Sequence, residues 1–220
     1  MSERYINNLT GDFSICFSEH LTEHPNYYSM KKLLFTLCCL IFAIASFAQS
    51  NAHIKFMGIP LTGTIAQFQA KLVAKGCKYD KLTSSSVPNG TRAFKGTFVG
   101  NEVAIFVFYD IKTKIVYRAK AVVSGVAEDI AEQEYSKVKN LLSIKYGSDS
   151  EDMYVGTQDG KESVTFISAN DEGEINGSID LFITQDEETW IRAPYNYNLH
   201  IDYNDSINTY KHNNQQLDEI

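Results

Sequence analysis

Cysteine and histidine are the residues of this chain that could act as nucleophile, base or metal ligand. Cys77 directly follows Gly76 at the predicted end of a helix, where a small apolar side chain packs against the last turn. A nucleophilic cysteine needs a histidine beside it, and His53, His200 and His212 lie far apart in the sequence, without the spacing of metal ligands. We therefore expect Cys77 to be buried and unreactive, and His200 to be solvated.

Carboxylates are concentrated in the second half of the chain. Residues 49–126 carry 11 Lys/Arg and 3 Asp/Glu, whereas residues 127–220 carry 6 and 20. In an up-and-down meander, two acidic segments fall at one end of the sheet, where their oxygen ligands would suit Ca²⁺. A solvated acidic surface, or attraction to the basic half within or between chains, is the alternative. The candidate calcium ligands are Asp149, Glu151, Asp152, Asp171, Glu172 and Glu174.

Aromatic residues alternate with polar ones near the end of the chain. Tyr195, Tyr197 and Tyr203 share one face of a predicted strand over residues 195–203, and Trp190 lies just before it. Rings on one face of a sheet can form a platform for a sugar or a peptide, so these four residues are candidate binding residues. Packing of the same rings in the core is the alternative.

The elements that would position these residues are mainly strands. A helix begins at Thr64, where Gln67 completes a capping box, and ends at Gly76. A second helix runs from about Asp129 to Tyr146, with acids in its first turn and Lys145 in its last. Three short strands separated by turn residues follow each helix, which predicts antiparallel meanders. These strands cover residues 91–98, 102–109 and 114–123, then 152–158, 161–168 and 174–183.

The two strand blocks align without gaps at an offset of 60 residues. Gly96 falls on Gly156 and Phe106 on Phe166. The sequence therefore predicts an α+β fold made of two tandem repeats, each with one helix and an antiparallel β-meander. The repeats would occupy residues 49–126 and 127–205, followed by a polar tail over residues 206–220. Two unrelated meanders that share turn residues are the alternative.

The first fifty residues indicate export. Two lysines precede an apolar run over residues 33–47, and small residues follow, as in a secretory signal peptide cut after Ala48. We expect residues 1–29 to be a start-site overcall and residues 30–48 to be the signal peptide. The mature protein would be periplasmic or extracellular, with one cysteine and no stable membrane span. An uncleaved anchor over residues 33–48 is the alternative.

Several segments carry a resemblance. The opening of the mature chain, Ile54–Thr64 (IKFMGIPLTGT), resembles the beginning of the chains of a family of small secreted proteins from Gram-negative anaerobes. Later segments also resemble that family, namely Lys95–Gly100, Lys145–Gly147 and Ile201–Asp205. The resemblance covers nearly all of the mature chain. It implies location and fold but no catalytic residues, because that family has no established activity. The predicted architecture also looks like that of the beta-lactamase inhibitor protein, which is an analogy of fold alone.

The function that these observations favour is binding. A net charge of −7 argues against a nucleic-acid-binding protein, which normally carries a basic surface. No catalytic residues are predicted, so we expect a non-enzymatic interaction module of the cell envelope whose partner is a protein or a glycan. The alternative is an exported hydrolase with an acid-only active site, which would need two carboxylates in one cleft.

Overall fold

Alternating apolar residues build most of this protein from antiparallel strands. The computed structural model describes residues 52–149, 151–186 and 196–217. The helices are α1 (Ile65–Ala74), α2 (Lys81–Ser86), α3 (Glu128–Tyr146) and α4 (Ser206–Leu217). The strands are β1 (Lys55–Phe56), β2 (Ile59–Pro60), β3 (Lys78–Tyr79), β4 (Thr91–Phe98), β5 (Asn101–Tyr109), β6 (Val116–Val126), β7 (Met153–Gln158), β8 (Lys161–Ala169), β9 (Ile175–Gln185) and β10 (Tyr197–Asp205).

The strands form one large sheet and one small one. β1 and β2 pair with each other, and the other eight strands pair in the order β3-β4-β5-β6-β10-β9-β8-β7, with every neighbour antiparallel. β10 comes last in the chain but lies in the middle, where Ile201 is opposite Ala121 of β6 and Leu181 of β9. The expected α+β class and antiparallel sheet are therefore confirmed.

The two longer predicted helices form with the expected end signals. At the start of α1, the Thr64 amide donates to Gln67 Oε1 (2.9 Å) and the Gln67 amide donates to Thr64 Oγ1 (3.4 Å), which completes the capping box. α3 begins with Glu128 and Asp129 and ends at Gly147, whose positive φ of 98° favours glycine. The predicted ends of both helices therefore agree with the structure to within two residues.

Both helices pack on the same face of the large sheet and form one core. α1 contributes Ile65, Phe68 and Leu72 to this core. α3 contributes Ala131, Tyr135, Val138 and Leu142. The strands supply fully buried side chains of similar size, and each such side chain stabilises the fold by about 1.5–3 kcal/mol. The largest of them are Phe94, Ile105, Phe166, Ile179, Leu181, Leu199 and Ile201.

Two tandem repeats are not evident in this fold. The hairpins β4–β5 and β7–β8 do share a register, since Gly96 pairs with Val103 and Gly156 pairs with Ser163. The residues that the two hairpins turn toward the core nevertheless differ by 61 positions rather than 60. In β5 the buried residues are Val103, Ile105 and Val107, and in β8 they are Val164, Phe166 and Ser168. A shift of one residue turns a strand over. The predicted equivalence of Phe106 and Phe166 is therefore wrong: Phe166 is in the core and Phe106 is on the opposite face.

The segment predicted to be a loose polar tail forms helix α4 instead. Asp205 precedes the helix and accepts the Asn208 amide at 2.8 Å, as a helix-capping side chain does. The Asn208 side chain is buried and donates to the carbonyl oxygens of Leu61 (2.9 Å) and Val116 (3.0 Å). Hydrogen bonds to distant backbone therefore hold a helix that has almost no apolar stripe.

Candidate functional site

The face of the large sheet opposite α1 and α3, which we call the open face, is polar and aromatic. Because side chains alternate along a strand, every second residue of each strand points to the open face, and most of these side chains are half-buried or exposed. The side chains at the centre of the open face and toward β4 belong to Lys95, Phe106, Phe108, Arg118, Lys120, Phe182, His200 and Asp202.

A buried carboxylate organises the centre of the open face. Asp202 of β10 is 1% exposed and accepts two hydrogen bonds from the Arg118 guanidinium, one from Nε (2.8 Å) and one from Nη2. Lys120 Nζ lies 3.7 Å from Asp202 Oδ2. The hydrogen bond to Asp202 raises the pKa of Arg118, which stays cationic. Two cations on β6 are thus held in place by one carboxylate on β10.

The same two cations cover aromatic rings. Arg118 lies over Phe108, with Cζ 4.8 Å from the ring centroid, and Lys120 lies over Phe182 at 5.6 Å. Because Asp202 is buried, the solvent-exposed charge of the cluster formed by Arg118, Lys120 and Asp202 is positive. The side chains of Lys95, Arg118 and Lys120 are 74%, 35% and 20% exposed, against 2% for Asp202.

Three other carboxylates lie on or beside the open face. Asp80 forms a salt bridge with Lys95, with Oδ2 3.1 Å from Nζ. Asp180 of β9 accepts hydrogen bonds from Thr165 Oγ1 (2.7 Å) and Asn204 Nδ2 (3.2 Å). Glu102 is exposed and lines a shallow groove together with Lys78 and Lys95. This groove extends the polar surface of the open face toward the β3 edge of the sheet.

His200 lies on the open face but is not solvated, so that prediction is wrong. Its ring stacks on Phe182, with centroids 4.7 Å apart and planes 12° apart, and its Nε2 is 2.8 Å from Thr184 Oγ1. Burial, and to a lesser degree the positive charge of Lys120, lower the pKa of His200 to about 4. His200 is therefore neutral at physiological pH.

Two of the four residues of the predicted aromatic platform, Tyr197 and Tyr203, lie on the core side of the sheet. Tyr203 is buried in the core, where its ring meets Phe56 edge-on at 5.3 Å. Tyr197 is half-buried against the core, and Lys161 lies over its ring at 5.2 Å. Trp190 and Tyr195 lie outside the described residues. Tyr203 therefore packs in the core, as the alternative interpretation of this alternation expected.

The six candidate calcium ligands lie at one end of the sheet. Asp149, Glu151 and Asp152 precede β7, whereas Asp171, Glu172 and Glu174 form the turn between β8 and β9. The Ile167 amide donates to the Asp152 carbonyl oxygen at 2.7 Å, so the start of β7 lies beside the end of β8. Within residues 52–149, 151–186 and 196–217, no group of three or more His, Cys, Asp or Glu is arranged to hold a metal ion. Calcium binding at this end stays a prediction.

Cys77 is buried, as predicted. It is 3% exposed and carries a free thiol, and a Cβ placed on Gly96 would come within 2.7 Å of its sulfur. Burial raises the pKa of the Cys77 thiol, which disfavours the reactive thiolate.

Two histidine–aspartate pairs were not found from the sequence. His53 Nδ1 is 2.9 Å from Asp205 Oδ2, and His212 Nδ1 is 2.8 Å from Asp110 Oδ2. The partners are 152 and 102 residues apart in the chain, so spacing carries no signal for either pair. The two histidines line one cavity of about 270 Å³.

Comparison of the chain with protein-family models, with curated proteins and with solved structures gives no match. The resemblance to a family of small secreted proteins therefore stays a prediction. None of the helices that the structure describes has both the length and the apolar character needed to cross a membrane.

Proposed function

We propose that this protein is an exported, non-enzymatic binding module whose open face binds an acidic polypeptide. The observation that carries the proposal is the arrangement around Asp202, in which a buried carboxylate holds Arg118 and Lys120 over two aromatic rings. Cations fixed in this way lose less conformational entropy on binding a carboxylate than free side chains would. The open face is thus preorganised for carboxylate ligands.

The same arrangement argues against an exposed aromatic platform for neutral sugars at the centre of the open face. The rings of Phe108 and Phe182 are covered by Arg118, Lys120 and His200, so their faces are already in contact. It also disfavours an acid-only hydrolase at this place. Asp202 and Asp180 already accept hydrogen bonds from Arg118 and from Thr165, so neither carboxyl is free to contact a substrate.

The test compares two double variants of equal charge change. Lys95→Gln/Lys120→Gln removes two cations from the open face. Lys137→Gln/Lys139→Gln removes two cations from helix α3, on the other face of the sheet, where these lysines pair with Glu134 and Glu162. The probes are a labelled poly-glutamate peptide, a polyglutamine peptide and polygalacturonate. Binding to the full-length protein, as cells produce it, is measured by fluorescence anisotropy at low and at high salt.

We expect poly-glutamate to bind and polyglutamine not to bind. The open-face variant should weaken poly-glutamate binding about tenfold, equivalent to about 1.4 kcal/mol, and high salt should weaken it further. The helix-side variant should bind as the unchanged protein does. Equal losses in both variants would show unspecific attraction and overturn the proposal. Binding of polygalacturonate alone would identify the partner as an acidic glycan instead.

Export is proposed on separate grounds, the apolar run and small residues of the predicted signal peptide over residues 30–48. Expression of the full gene and intact mass measurement of the exported protein test it. We expect a chain that begins at Gln49. A mass that retains residues before Gln49 would contradict cleavage after Ala48.

A further inference from the structure

A cavity of about 270 Å³ lies where helix α4 meets the segment before β1 and the turn between β5 and β6. Its walls include His53, Thr62, Thr113, Lys211, His212 and Gln215. The volume is slightly below that of pockets for drug-sized ligands, so it suits a group about the size of one sugar residue.

The first histidine of the cavity is held by a buried carboxylate. Asp205 is 0% exposed, and its oxygens accept the backbone amides of Ile54 (3.3 Å) and Asn208 (2.8 Å). His53 Nδ1 is 2.9 Å from the same carboxylate. An accepting carboxylate requires a proton on Nδ1, which leaves Nε2 as an acceptor when the ring is neutral.

The second histidine is oriented in the same way. Asp110 accepts hydrogen bonds from the Lys112 amide (2.9 Å) and from the Thr113 amide (2.7 Å), and His212 Nδ1 is 2.8 Å from its other oxygen. These hydrogen bonds outweigh burial and lower the pKa of Asp110 to about 2, so this carboxylate is ionised and accepts from Nδ1–H. The Nε2 atom of His212 is then an acceptor too, and it lies 3.3 Å from the Gln216 amide nitrogen.

A further acceptor in the wall has no partner among the described residues. Gln215 Oε1 is buried and makes no hydrogen bond there. A buried carbonyl oxygen without a donor destabilises a protein, so a donor that reaches this oxygen from the cavity that Gln215 lines would be favoured.

An aromatic cavity adjoins the polar one and shares His212. It has a volume of about 460 Å³ and is lined in part by Phe106, Tyr109 and Tyr117; Phe108 also lines it, but Arg118 covers the Phe108 ring. The Tyr117 ring stacks on His212, with centroids 4.4 Å apart. Hydrogen-bond acceptors next to aromatic rings match the two kinds of surface that a sugar presents, its hydroxyl groups and its apolar ring face.

We propose that these joined cavities, which we call the histidine cleft, bind a neutral, hydroxyl-rich ligand of the sugar class. Ligand hydroxyls donate to His53 Nε2 and Gln215 Oε1, and Lys211 donates to a ligand oxygen. The charged and titratable groups around the cavity are His53, His212, Lys211, Asp110 and Asp205. Phe106 and Phe108 of the aromatic cavity belong to the open face, so the cleft borders that surface. The sugar-class ligand proposed here is distinct from the acidic partner proposed for the open face.

A small anion is the competing ligand class. Lys211 in the cavity wall would also suit an anion, so inorganic phosphate is the probe that separates the two classes.

The experiment is an NMR titration of the full-length protein. The imidazole proton signals of His53, His200 and His212 are the reporters. The probes are glucose, galactose, mannose, N-acetylglucosamine and inorganic phosphate. The variants are His53→Gln and His212→Gln, with His200→Gln as the matched control outside the cleft. Saturation-transfer spectra of each sugar give a second readout that needs no histidine assignment.

We expect at least one sugar to shift the His53 and His212 signals. Each cleft variant should abolish the saturation transfer, and His200→Gln should leave it unchanged. If a cleft variant fails to fold, the shifts in the unchanged protein decide the question. Shifts caused by phosphate and by none of the sugars would assign the cleft to anions and overturn the proposal. The absence of any sugar-induced shift would also overturn it.

Discussion

Replacement of His200 by glutamine is expected to make the stability of this protein less sensitive to acid. His200 is stacked on Phe182 and hydrogen-bonded to Thr184, and burial lowers its pKa to about 4. In the unfolded chain a histidine titrates near pH 6.5. Between these two pH values the unfolded state binds more protons than the native state, so the free energy of unfolding falls as the pH falls.

The magnitude follows from the same two pKa values. The loss per pH unit approaches about 1.4 kcal/mol below about pH 6.5, where the unfolded histidine is mostly protonated, and from about pH 7 to about pH 5 it totals about 2 kcal/mol. Because the His200 ring is only partly shielded from solvent, we expect about 1–2 kcal/mol. This loss should be absent from His200→Gln and from His200→Phe, since neither replacement titrates.

Urea unfolding followed by circular dichroism tests this expectation at about pH 7 and about pH 5. Each protein is compared with itself at the two pH values, so any change in overall stability caused by the substitution cancels. All other titrating groups are common to the three proteins. Parallel losses in the unchanged protein and in both variants would refute the reasoning, as would an NMR titration of His200 with its midpoint near pH 6.5.

Three further predictions concern packing and capping. The Cys77 thiol should resist a thiol reagent in the native state and react fully in denaturant, and rapid labelling of the native protein would contradict its burial. Gly96→Ala should destabilise the fold by about 1–3 kcal/mol in urea unfolding, because the new Cβ would lie 2.7 Å from Cys77 Sγ and 3.3 Å from Ile105 Cδ1. Gly156→Ala, whose nearest contact would be Ser163 Oγ at 3.3 Å, is the matched control and should cost less; equal losses would argue against the close packing at Gly96. Asp205→Ala should cost about 2 kcal/mol or more, since it removes the cap of α4 and the partner of His53, and an unchanged thermal midpoint would contradict that role.

Local patterns in the sequence were sufficient to predict the α+β class, most of the strands and the ends of two helices. The predicted strand over residues 91–98 has the same bounds as β4, and the capping box at Thr64 forms as expected. These features depend on neighbouring residues, such as alternation within a strand or a side chain that bonds three positions away. The short strands β1 to β3 and helix α2 were missed because two to six residues carry too little periodicity.

The tertiary structure alone decided which face each strand turns to the core and which distant residues meet. An offset of 60 aligns the two hairpins in register, yet a difference of one residue places Phe106 and Phe166 on opposite faces of the sheet. The insertion of β10 between β6 and β9 brings Asp202 to Arg118, 84 residues away, and the same chain path brings His53 to Asp205. A buried carboxylate is paired in this way because burial without a hydrogen-bond donor would destabilise the folded protein. Which donor reaches the carboxylate depends on the folded path of the chain and not on any spacing in the sequence.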